Sequence, residues 1–89
     1  MADMFSVKIK VISQKGTCGA GHKVGDEFDC SGNTPGGICI FAFNALMPFL
    51  LPLMFGGIFP WSGNPDKIEA VCPDALNPVV FELQRIKTD

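Results

Sequence analysis

Charge is scarce in this chain: 18% of its residues are charged, and the seven lysines and arginines never cluster, where about 25% is usual. Without a basic patch there is no footprint for a phosphate backbone, so nucleic acid is a poor candidate partner, and an acidic membrane surface is disfavoured for the same reason. The start, Met1-Ala2-Asp3-Met4, lacks the basic region, apolar stretch and small-residue cleavage site of a signal peptide, so a cytoplasmic location is expected. In that compartment four cysteines are reduced thiols, metal ligands or redox groups rather than structural disulfides.

Several motifs are also missing. No C-x-x-C pair, Ser-His-Asp arrangement, haem-attachment site or carboxylate-rich cation loop occurs. The run Gly16-Thr17-Cys18-Gly19-Ala20-Gly21-His22-Lys23-Val24 looks like a phosphate-binding loop but fails on spacing. His22 separates the last glycine from Lys23, and Val24 stands where a Ser or Thr would hold magnesium, which excludes nucleotide hydrolysis. No repeat or linker is visible, and 89 residues are expected to form a single domain, 1–89.

What remains is a 47% hydrophobic chain with a net charge of −2, too apolar to be disordered. Val7, Ile9 and Val11 alternate with Lys8 and Lys10, the period of a half-buried strand. Glu27 to Cys30 follows the Gly25-Asp26 turn as a short strand, and Lys67 to Cys72 and Val79 to Ile86 read as two more, with Val79, Phe81 and Leu83 inward. Thr34-Pro35 reads as a helix start, predicting a helix over Pro35 to Met47 that kinks or restarts at Pro48 or Pro52 and ends near Gly56-Gly57. The expected fold is α+β: a small antiparallel sheet of three or four strands, covered on one face by an apolar, proline-broken helical segment.

Ile38 to Phe55 carries no charge and reaches the lower length limit for a bilayer span. Its two prolines, Asn44, and the absence of flanking Lys or Arg argue instead for the core of a domain this small, so a membrane role is not expected. Phe49 to Trp61 is the stretch expected to stay partly exposed and to contact a protein partner or a second copy as a homodimer.

Cys18, Cys30, Cys39 and Cys72 are separated by eleven, eight and thirty-two residues. Zinc and ferredoxin-type sites usually contain one tight ligand pair, and here Cys18-x-x-x-His22 is the only close pair of soft ligands. Cys39 is the first choice for a reactive or ligating thiol, because a helix capped at Thr34 would put it in the first turn and a half, where the dipole favours a thiolate. Each cysteine also has a plain reading as a small core hydrophobe. His22 reads either as a ligand or proton carrier or as a solvated loop residue.

Cys18-Gly19-Ala20-Gly21-His22-Lys23-Val24-Gly25-Asp26, Pro35 to Cys39, and Cys72-Pro73-Asp74 with Val80-Phe81-Glu82 together resemble a family of small, functionally uncharacterised proteins found mainly in anaerobic bacteria and archaea. The resemblance spans nearly the whole chain and implies no settled activity. It marks Cys18, Cys39 and Cys72 as the motif cysteines, with Cys30 a weaker fourth. The expected function is therefore a small accessory or carrier protein without autonomous catalysis. Cys18, Cys39 and Cys72, with His22 or Cys30, would converge on a metal ion such as zinc or on an iron–sulfur cluster. The alternatives are a cofactor-free interaction module with buried structural cysteines and a thiol-redox protein.

Overall fold

The computed structural model describes residues 4–87. Within it, β1 (Ser6–Gln14), β2 (Glu27–Cys30), β3 (Lys67–Val71) and β4 (Val79–Ile86) form one antiparallel sheet in the order β2-β1-β4-β3, and one helix, α1 (Ile40–Met54), covers it. This is the expected α+β class.

The alternation of β1 and β4 sets which face is buried. Val7, Ile9 and Val11 pair with Arg85, Leu83 and Phe81, so those side chains share the inner face. Leu46, Leu50 and Leu53 of α1 are fully buried against them. The outer face is polar. Lys8 bridges Glu27 at 3.4 Å, and Lys10 and Glu69 both stand beside Glu82 in the register. The β1 and β4 registers shift between Val11 and Ser13, a bulge that leaves Ile12 unpaired.

The helix differs from expectation at its start and in its middle, while its end at Met54, with Phe55 as C-cap, lies beside the expected Gly56-Gly57. It starts five residues later than Pro35, with Cys39 rather than Thr34 as N-cap, and it continues without a break through Pro48 and Pro52 to Met54. Each proline should cost about 3 kcal/mol inside a helix. Their missing N–H groups leave the carbonyls of Asn44 and Pro48 without helical donors, and both of these residues are exposed, so water can serve them. Burying Leu46, Leu50 and Leu53, at about 1.5 to 3 kcal/mol each, offsets the rest.

The C-terminal end of α1 is held by Arg85, a charged residue on the inner face of β4 with only 5% of its surface exposed. Its Nε donates to the Leu53 carbonyl at 2.8 Å, its terminal nitrogens donate to the Gly57 carbonyl and to Asp66 Oδ1, and its guanidinium lies 5.5 Å from the centre of the Phe5 ring. The Phe5 N–H donates to the Met54 carbonyl at 2.8 Å. Together these satisfy carbonyls that a helix end would otherwise leave open. Because α1 ends at Arg85, its N-terminus lies at the opposite end of the sheet, near Val79 and Phe81.

Among the described residues no helix is long and apolar enough to cross a membrane. Arg85→Ala is expected to lower the unfolding free energy by about 3 kcal/mol in chemical denaturation, because it orphans two carbonyls and strips Asp66 of its buried partner. Arg85→Lys should recover little of this, since an ammonium cannot match the guanidinium fork.

Candidate functional site

At the α1 N-terminus a cavity of about 540 Å³ opens between the helix, the Cys18 to His22 loop and the Cys72 to Asn77 loop. Cys18, His22, Cys39 and Cys72 all line it, together with Phe41, Ala42, Val79 and Phe81. Cys30 does not. It pairs with Val7 at the far end of β1, about 13 Å along the strand from Val11, and packs as a buried core residue. Three of the expected cysteines and the histidine therefore share one cavity, and the fourth cysteine has the structural role of a hydrophobe.

His22 is buried, at 5% exposure, rather than solvated. Its ring sits edge-to-face against Phe28 and Phe81, with centroid distances of 5.4 and 6.0 Å. Nε2 accepts the backbone N–H of Cys39 at 2.9 Å, which ties the first loop to the helix N-cap. The Cys39 thiol makes no capping bond of its own, and His22 serves the N-cap N–H, the group that the N3 Glu or Gln of a capping box would reach. An accepting Nε2 puts the ring proton of a neutral imidazole on Nδ1. No fully buried side-chain nitrogen or oxygen among the described residues lacks a partner. Nδ1, which has no protein acceptor there, therefore keeps some contact with solvent.

The thiols differ in their engagements. Cys72 Sγ accepts the Val79 N–H at 3.3 Å and lies 4.0 Å from the Asn77 carbonyl, so it closes the turn between β3 and β4. No hydrogen bond engages the sulfurs of Cys18 and Cys39 among the described residues, and both are half-buried at the cavity wall. Burial pushes the Cys30 thiol up from its ordinary value, an effect only partly offset by the Gly32 N–H.

Asn77 is a site residue that the sequence reading passed over. Its Oδ1 accepts the Thr17 N–H at 2.9 Å, which joins the two cysteine-bearing loops. Gly16 has φ +68°, and a Cβ there would overlap the Asn77 carboxamide, so only glycine fits beneath it. Asp74 in turn accepts the N–H groups of Leu76 and Asn77 and the Asn77 amide. The signal available was the Asp74 to Asn77 spacing, which is that of side chains bonding their own turn.

Among the described residues no group of three or more His, Cys, Asp or Glu side chains is placed to hold a metal ion. Structural zinc and iron–sulfur sites draw on about four protein donors. Here His22 Nε2 is committed to Cys39 and the Cys72 sulfur to its own turn, so this arrangement contains no preassembled set of that kind. Comparison of the chain with family models, curated proteins and solved structures finds no match.

His22→Phe should keep the ring packing but remove the acceptor. The expected cost is about 1 to 3 kcal/mol, with faster amide exchange at Cys39. Hydrogen bonds from Asn77, then Leu76, hold the Asp74 carboxyl below its ordinary value. Its stabilisation is thus full above the usual carboxylate range and is lost as pH falls through the lower folded-state value. Asp74→Asn is expected to flatten that acid limb of a melting-temperature profile.

Proposed function

We propose that the protein is a small accessory or carrier module that works through the thiol-lined cavity. It takes up a compact ligand with an apolar body and a soft, thiol-seeking centre. The observation that carries this reading is that Cys18, Cys39 and Cys72 face one cavity whose other walls are mainly apolar. Cavities of this size and lining are the usual form of small-ligand sites. Cys18 and Cys39, whose sulfurs are unengaged, are the thiols that meet the ligand. Cys72 shapes the wall, and the Nδ1–H of His22 offers one donor to orient the ligand. A soft centre held by two thiols suits this donor set better than zinc or a cluster, each of which needs more ligands than converge here. The sequence resemblance supports a role in anaerobic metabolism, with binding rather than turnover as its chemistry.

The test uses protein purified without oxygen and monobromobimane, a compact apolar thiol reagent. Cys39 and Cys18 are expected to label several-fold faster than Cys72, with Cys30 last, and labelling should saturate with reagent as binding precedes reaction. Metal analysis and an absorption spectrum of the same sample identify any co-purified ligand. Labelling of all four thiols at one rate, or only after unfolding, would make the cavity cysteines packing residues and end this reading.

A further inference from the structure

A surface helix normally turns polar residues to water, and α1 does not. At 100° per residue, Ile40, Phe41, Asn44, Pro48, Leu51 and Phe55 fall within an arc of about 100°, opposite the buried leucines. All six are exposed. Ile40 is 76% exposed, Phe41 70%, Leu51 45% and Phe55 56%. No charged residue occurs between Asp29 and Asp66, so nothing charged flanks this stripe in sequence. The sheet's outer face, by contrast, carries Lys8, Lys10, Glu69 and Glu82. The sequence placed the exposed apolar patch at Phe49 to Trp61, and Leu51, Phe55, Ile58 and Trp61 are exposed there, while Met54 is buried and Phe49 and Phe59 pack against the core. The exposed apolar surface also extends back along the outward side of the helix to Ile40 and Phe41.

We propose that this outward face of α1 is the contact surface for a second copy of the chain, packed helix to helix across a two-fold axis beside the mouth of the cavity. Three features favour a second copy. An uncharged face offers nothing to a charged partner, whereas two copies of it meet without desolvating a charge. The face also carries matching polar groups. The carbonyl of Pro48 lacks a helical donor, and the Asn44 carboxamide is a donor on the same stripe one turn away, so in an antiparallel pair centred on Pro48 each Asn44 can donate to the Pro48 carbonyl of the other copy. Such a pair sets Phe41 of each copy toward Phe55 of the other. Finally, with about 200 Å² for a fully exposed aromatic side chain, the stripe offers roughly 600 Å², the low end of what each partner buries in a stable interface. Phe41 belongs to both the stripe and the cavity wall, so the second copy closes the cavity on that side.

Sedimentation and light scattering of the full chain over a range of concentrations test this. The wild type is expected at twice its 9.6 kDa mass, while Phe55→Glu and the milder Leu51→Ser run as monomers with an unchanged far-UV spectrum. Leu76→Glu, at an 88% exposed apolar site off the helix, should remain dimeric. Hydrogen exchange on the wild type alone reads the same face without a variant, as protection of 40–55 that grows with concentration. A wild type that is monomeric throughout overturns the proposal, as does association that survives both helix substitutions. Flotation of a monomeric wild type with phosphatidylcholine vesicles would overturn it too, by making a bilayer the occupant. Bimane labelling of the monomeric variants beside the wild type separates the two readings: thiol selectivity that persists in the monomers upholds the cavity reading whatever the oligomeric state.

Discussion

A guanidinium buried under the end of a helix sets the geometry of this molecule. Arg85 sits on the inner face of β4, where the alternation of the strand calls for an apolar side chain, and it binds two carbonyls at the end of α1 and the Asp66 carboxylate. The isolated charge would be costly there. Each of its three nitrogens donates a hydrogen bond, so the cost is offset while the helix is fixed lengthwise along the sheet. With that end fixed, the other end of the helix must arrive beside Val79 and Phe81, and that is where the cysteines gather.

The second tie, from His22 to the Cys39 N–H, closes the opposite end. One long side chain and one ring therefore hold α1 at its two termini, with leucines filling the length between. The second tie is made through an imidazole from a distant loop, seventeen residues away along the chain. The ring holds the loop of Cys18 against the helix start and lines the same cavity as the thiols.

The strands were legible from alternation alone, since Val7, Ile9, Val11 and Val79, Phe81, Leu83 each mark one face. Continuing the same parity reaches Arg85, but its charge conceals that it points inward. The end of the helix near Gly56-Gly57 was legible, but its start and its continuity through Pro48 and Pro52 were not, because proline is a local signal whereas the burial of three leucines is a tertiary one, and here the tertiary term is larger. The gathering of Cys18, Cys39 and Cys72 could be anticipated from their places on a loop, a helix start and a strand end. The burial of His22 could not, because its hydrogen-bond partner lies seventeen residues away along the chain and is a backbone group that leaves no trace in residue type. Cys30 shows the reverse case: a cysteine at the sheet's far end resembles the others by type alone.

The glycine at position 16 and the asparagine at 77 bear on how this chain can change over generations. Any side chain at 16 collides with the carboxamide that receives the Thr17 N–H, and a smaller residue at 77 gives up that bond. Neither position can drift alone without separating the two loops that carry Cys18 and Cys72. In descendants of this sequence the two positions should be inherited as a pair, and a lineage that has lost one is expected to have lost the other and, with it, the shared cavity.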